Sequence, residues 1–135
     1  YSQADLVTYP STFEGFGNAF LEAVYFRRPL VVNSYSIYTY DIKPKGFAVV
    51  EFDGFISDDT VRQVAALLRR PEQVRQMVDR NYELGHRYYS YGVLHRALAR
   101  LIVDFFGVDP AAEPWLDPAS RAADERAQGP RAQSG

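Results

Sequence analysis

Tyr9-Pro10-Ser11-Thr12-Phe13-Glu14-Gly15-Phe16-Gly17-Asn18-Ala19-Phe20-Leu21-Glu22-Ala23 is the stretch on which the reading of the fold turns. An apolar segment, Leu6-Val7, runs into it. A turn follows, carrying Glu14 and two glycines that flank Phe16. The apolar pattern then changes to helical spacing at Phe20, Leu21, Ala23 and Val24. A strand, a glycine-rich turn and a helix N-terminus together make an anion site, because free N–H groups point outward and the helix dipole favours negative charge. Glycine lets a ligand come close to the backbone. The carboxylates of Glu14 and Glu22 bracket that site and cannot themselves bind phosphate. An ionised carboxylate only accepts hydrogen bonds, so vicinal hydroxyls on the same ligand are its natural partners.

Working outward, Ala4 to Tyr9 reads as a short buried strand and Asn18 to about Arg27 as a helix, with Gly17 near its N-cap. Arg27-Arg28 falls in the last turn, where cations suit the dipole. Pro29 ends the helix and opens a second apolar run, Leu30-Val31-Val32, whose β-branched pair favours a strand. Strand, helix and strand within about 30 residues make a βαβ unit, which predicts parallel strands joined by a right-handed crossover.

Glu14 and Glu22, with seven residues between them, resemble the Glu-x7-Glu motif of the family-4 retaining glycosyltransferases. The resemblance rests on the run Glu14-Gly15-Phe16-Gly17-Asn18-Ala19-Phe20-Leu21-Glu22-Ala23, set after a strand and before a proline-led second strand. It extends from about Ala4 to about Phe106. The fold it implies is GT-B, two Rossmann-like domains with the active site between them. Residues 1–107 would be the C-terminal half of the donor-binding domain, and 108–135 a tail. The implied donor is a nucleotide diphosphate-sugar, with no catalytic metal and no further cofactor. The acceptor is unspecified and the N-terminal domain lies outside this chain.

The same resemblance implies the roles. Glu14 would sit over the transferred sugar as the catalytic carboxylate, positioning it and stabilising charge. The family's usual mechanism is a front-side displacement, not a covalent intermediate. Backbone N–H groups of Gly15, Phe16, Gly17 and Asn18 would face the donor sugar and its diphosphate, where fixed dipoles stabilise the leaving phosphate. Glu22 would accept from the ribose hydroxyls. Bland alternatives stand beside each role. Glu14 could merely complement the helix N-terminus, the glycines could serve only their turn, and Glu22 could be an exposed glutamate near Arg27 or Arg28. The sequence also departs from the family. Where a Gly-Gly-Ile-Pro-Glu type loop often follows the second strand, this chain has Ser36-Ile37-Tyr38-Thr39-Tyr40-Asp41. The arginine and lysine that grip the diphosphate fall upstream of this chain.

Residues 33–46 show neither helical nor strand period. They read either as a loop on the ligand side of the sheet or as a connection whose tyrosines pack on the edge of the core. Phe47 to Phe52 reads as a third strand. Ser57 is a helix N-cap with Asp58-Asp59 in the first turn, and that helix runs to about Arg70. Pro71 starts another helix, to about Tyr88. Ser90 caps a last one, with Leu94, Ala97, Leu98, Leu101, Ile102 and Phe105 on one face and Gly107 as its stop. From Asp109 on, prolines, alanines and small polar residues indicate a disordered tail. The expected architecture is α/β, a partial Rossmann-like domain with a short parallel sheet, followed by a helical C-terminal segment.

Composition narrows the function classes. The chain has 135 residues and a formal net charge of −2. That gives no basic excess for a nucleic-acid partner. Zero cysteines exclude disulfides and thiolate metal sites. His86 and His95 match no metal-binding spacing. No apolar run approaches the roughly 20 residues of a transmembrane helix. The expected setting is cytoplasmic, free or peripheral to a membrane. Two rival functions stand beside sugar transfer: a non-catalytic nucleotide-sugar-binding module, and a protein-interaction module using the tyrosine-rich segment and the last helix.

Overall fold

The computed structural model describes residues 1–108, and the expected tail lies outside them from residue 109 on. Three strands, β1 (Val7–Tyr9), β2 (Leu30–Asn33) and β3 (Val50–Phe52), pair in the order β1-β2-β3. Both pairings are parallel, with Val7 opposite Leu30 and Val31 opposite Val50. The described residues also form four helices: α1 (Asn18–Tyr25), α2 (Asp58–Leu68), α3 (Pro71–Tyr89) and α4 (Tyr91–Phe106). This is the expected α/β architecture, a short parallel sheet of partial Rossmann type.

All of β2 is buried, as befits a central parallel strand covered on both faces. The pleat sends alternate residues to opposite sides. Val31, Val50 and Phe52 form one hydrophobic cluster, joined by Leu6 and by Val64 and Leu67 of α2. The other cluster is aromatic. Phe20 of α1 packs edge-on to Phe47 at 5.3 Å and lies 6.3 Å from Tyr38. Tyr38 in turn lies 5.9 Å from Tyr35. α3 closes onto this layer at Gly85, where an added Cβ would stand 2.9 Å from a Val24 methyl. Asn81 of α3 fastens the approach to β3 by two bonds, accepting from the Ala48 amide and donating to the Ala48 carbonyl, each at 2.7 Å.

Residues 33–46 are more ordered than their lack of period suggests. A wide π-type turn, Tyr38–Ile42, runs into a 3-10 turn, Lys43–Lys45, and Gly46 ends it in the left-handed conformation. Tyr35, Tyr38 and Ile42 are buried core residues. Neither a 3.6-residue nor a two-residue period can register this segment, since π and 3-10 turns follow different spacings. Two strands are shorter than expected. β1 begins at Val7 and β3 at Val50, because only those residues have ladder partners. The helix caps match their sequence signals. The Ser57 hydroxyl accepts from the Thr60 amide and the Ser90 hydroxyl from the Val93 amide. Gly107 ends α4 at φ 63°.

The described residues fall into two compact units, Tyr1–Tyr88 and a second beginning at Tyr89. In the second unit, α4 carries Leu94, Leu98, Leu101 and Phe105 as exposed side chains.

Candidate active site

Residues 10–17 leave the carboxyl end of β1 and return the chain as α1. Ligands of open α/β sheets sit at such ends. Gly17 is the N-cap of α1 at φ 96°, a conformation that an L side chain adopts only under strain. No side chain caps α1 and no acidic residue occupies its first turn. Its orphan donors are therefore left to backbone, water or a ligand. Gly15 is exposed, and a Cβ added there would meet nothing within 4 Å. Phe16 and Asn18 are exposed as well, and Glu14 is half-buried.

Beneath the turn the contacts are close. Gly17 is buried. A Cβ on it would lie 2.5 Å from the Tyr35 hydroxyl oxygen and 3.2 Å from that of Tyr9. The two rings pack at 5.7 Å. The Asn33 side chain, buried at the end of β2, donates to the Ser11 carbonyl at 3.1 Å and lies 3.4 Å from that of Pro10. Its oxygen accepts from the Gly54 amide at 2.9 Å. One amide thus ties the exit from β1 to the exit from β3.

Burial first, and then Glu14, push the Tyr9 phenol well above its ordinary range. The Tyr1 phenol is likewise raised, by burial first and then by Glu22. Tyr1 also lies near enough to Tyr9 for its charge to bear on Tyr9's ionisation. Glu22 is exposed, and the Tyr1 ring stacks on Phe26 at 5.4 Å. Neither arginine after the helix is aligned with Glu22. Arg27 pairs with Asp79 and sits 4.0 Å over the Tyr82 ring, while Arg28 donates to the Ser2 carbonyl at 2.9 Å.

All six residues singled out in the sequence, Glu14, Gly15, Phe16, Gly17, Asn18 and Glu22, lie on this one turn-and-helix unit. The supporting residues Tyr9, Asn33 and Tyr35 were not among them. Asn33 had a signal, a polar residue closing an apolar strand. Tyr9 and Tyr35 had none beyond standing next to strand ends. Asp41 does not join the site. Its carboxylate pairs with Lys45 at 2.6 Å. Glu51 is likewise taken up locally, accepting from Tyr38 at 2.7 Å and from Lys43 at 2.6 Å. Among the described residues, no group of three or more His, Cys, Asp or Glu could hold a metal ion. No helix among them is long and apolar enough to cross a membrane.

No protein-family model matches the chain, and no solved structure matches it significantly. Two curated proteins are similar to it. It is 34% identical over 116 residues to mannosylglucosylglycerate synthase of Thermotoga maritima, an alignment covering 76% of this chain and 27% of that protein. It is 52% identical over 50 residues to the mannosylglucosylglycerate synthase of Petrotoga mobilis, covering 37% of this chain and 12% of that protein. The chain therefore spans roughly a quarter of the length of the first of these relatives.

Proposed function

We propose that this chain is part of a retaining glycosyltransferase of the GT-B type and carries half of its nucleotide-sugar donor site. Likeness to two glycosyltransferases supports sugar transfer in general. The observation that carries the finer reading is the Glu14-to-Asn18 turn. It stands at the carboxyl end of a parallel strand, with its backbone open at Gly15, and Glu22 follows in the helix it starts. The relatives' name suggests a mannosyl unit as the group moved and glucosylglycerate as the acceptor.

In this reading the donor diphosphate lies at the N-terminus of α1, against the amides of Gly15 to Asn18. Glu22 accepts from the ribose hydroxyls. Glu14 accepts from hydroxyls of the transferred sugar and stabilises positive charge developing on its ring. The acceptor oxygen bonds to the anomeric carbon on the face from which the bond to the phosphate oxygen breaks. The acceptor proton passes to that departing oxygen, and the nucleoside diphosphate leaves with the bonding pair. Fixed N–H dipoles stabilise its negative charge without reorganising. The residues that complete the cleft belong to the remainder of the full-length protein.

The test is turnover by the full-length protein. It is incubated with GDP-mannose or UDP-glucose and with glucosylglycerate, and the product's anomeric configuration is read by NMR. A product with the donor's configuration is expected. An inverted product would overturn retention. Tight donor binding without transfer would favour the binding-module reading.

A further inference from the structure

We propose that Asn33 is a positioning residue of the donor site: its buried carboxamide pins the start of the turn that leaves β1 to the chain leaving β3, so that the amides of Gly15 to Asn18 stand in place before the donor arrives. The inference rests on the donor-site reading above and deepens it.

Among the described residues two asparagines are buried, Asn33 at 3% exposure and Asn81 at 1%. Both spend their carboxamides on backbone groups, but in different places. Asn81 bonds the amide and the carbonyl of one residue, Ala48, ahead of β3. That contact lies at the amino end of the sheet. Asn33 closes β2 at the carboxyl end, and its partners belong to two other segments. Its nitrogen donates to the Ser11 carbonyl at 3.1 Å and lies 3.4 Å from the Pro10 carbonyl, while its oxygen accepts from the Gly54 amide at 2.9 Å. A carbonyl only accepts and an amide N–H only donates, so these partners fix one orientation of the carboxamide. Neither leucine nor aspartate could replace it. Leucine has no polar atom, and an ionised aspartate has no donor.

Pinning Ser11 matters because the other end of the turn is fixed as well. Gly17 lies against the hydroxyls of Tyr35 and Tyr9, and its carbonyl accepts from the Phe20 amide at 2.9 Å. Residues 12–16 therefore bridge two anchored points. A segment that short between fixed ends has few conformations open to it, so little freedom is left to lose on binding. Without the Asn33 donor the first anchor goes, and the ligand must order the turn itself. That cost falls on donor affinity. Once donor saturates the site the turn is ordered either way, and the chemical step is affected less. Asn33 thus acts only through the turn that it holds.

The experiment uses the full-length protein. GDP-mannose is titrated calorimetrically, and urea midpoints and turnover onto glucosylglycerate are measured alongside. Wild type is compared with Asn33→Asp and Asn81→Asp, which make the same chemical change at the two ends of the sheet. Each leaves a buried carbonyl without its donor, so both midpoints should fall. Donor affinity should fall about tenfold in Asn33→Asp, on the scale of one lost hydrogen bond. It should stay within about twofold in Asn81→Asp, which is remote from the turn. In Asn33→Asp, kcat at saturating donor should stay within about threefold of wild type. Where Asn33→Asp does not fold, Asn33→Ser and Asn81→Ser are compared in the same way. Wild-type affinity in a folded Asn33 variant, or equal losses in the Asn33 and Asn81 variants, would overturn the proposal. So would a loss confined to kcat. A wild-type protein that binds neither GDP-mannose nor UDP-glucose would instead remove the donor-site reading, and this inference with it.

Discussion

The chain leaves β1 through residues 10–17 and leaves β2 through residues 34–46. Both segments start at the carboxyl ends of adjacent parallel strands and both are rich in aromatic residues. The first keeps its aromatics outside: Phe13 is 83% exposed and Phe16 is exposed too. Its backbone is open at Gly15. The second turns two of its three tyrosines in. Tyr35 and Tyr38, with Ile42, fill the core, and Asp41 is paired with a lysine. The buried segment supplies the wall against which the open one stands, since the Tyr35 hydroxyl lies directly under Gly17. A rigid support next to a bare backbone turn suits a site that must hold small groups in place.

The largest expected effect tests the wall. Tyr38→Ala should destabilise the unit by about 3–5 kcal/mol, the usual range for removing a large buried aromatic ring. Tyr40→Ala, two residues away at an 83% exposed position, should change stability by about 0.5 kcal/mol or less. Urea midpoints of the two variants in the full-length protein check the contrast. Similar midpoints would erase the distinction drawn between inward and outward tyrosines. Tyr38 should also show in alkali. Burial first, and then the bond and charge of Glu51, raise its phenol. This contribution to stability is whole below the ordinary phenol value of about 10 and is lost as pH rises above it, because the unfolded chain then binds fewer protons. Tyr38→Phe should lose less stability than wild type above that pH.

Next in size is the charge on the open turn. Glu14→Gln keeps the shape and removes the charge. Loss of one preorganised electrostatic contact lowers kcat roughly 100-fold, so kcat should fall by about that factor with donor KM little changed. Steady-state kinetics of the full-length protein decide it. A normal kcat would remove the catalytic role given to Glu14.

Glu22→Ala follows. A charged hydrogen bond contributes about 1.5–3 kcal/mol, so donor affinity should weaken roughly 10–150-fold. A contact equal in ground and transition states leaves the chemical step alone, and kcat should change less. Calorimetric titration with GDP-mannose reads the first quantity and turnover at saturation the second. If kcat fell and affinity held, the two glutamates would have to exchange roles.

How much of this was legible beforehand differs between the two segments, for physical reasons. The open turn announced itself because glycines, a carboxylate and a change of apolar period lie consecutively in sequence. Local chemistry leaves a local trace. The parallel sheet followed from the short spacing of two apolar runs around a helix, and the caps at Ser57, Ser90 and Gly107 from residue types suited to one backbone conformation. The buried segment was left between two readings, because Tyr35, Tyr38 and Ile42 are spaced by the turns they adopt. The partners of Asn33 are Pro10, Ser11 and Gly54, contacts spanning about 20 residues in either direction. No periodicity encodes such pairs. A Cβ added at Gly85 of α3 would meet a Val24 methyl at 2.9 Å, another contact that no local pattern shows.

The smallest effect on the fold gives the sharpest reading of what the open turn is for. Gly15 and Gly17 stand two residues apart, and only Gly17 is required by its own backbone and its neighbours. Gly17 has φ 96° and phenols beneath it. Gly15 has no left-handed φ and nothing within 4 Å of an added Cβ. Gly15→Ala should therefore be neutral or slightly stabilising, within about 0.4–1 kcal/mol, through a less flexible unfolded chain. If the backbone there faces a donor, the same methyl stands where the ligand must approach. Donor affinity should then fall about tenfold, while the urea midpoint holds or rises. A glycine kept only for its turn would show neither change, and one kept for folding would show the midpoint fall. Loss of affinity at unchanged or improved stability is the one pattern that assigns the empty space above Gly15 to a ligand.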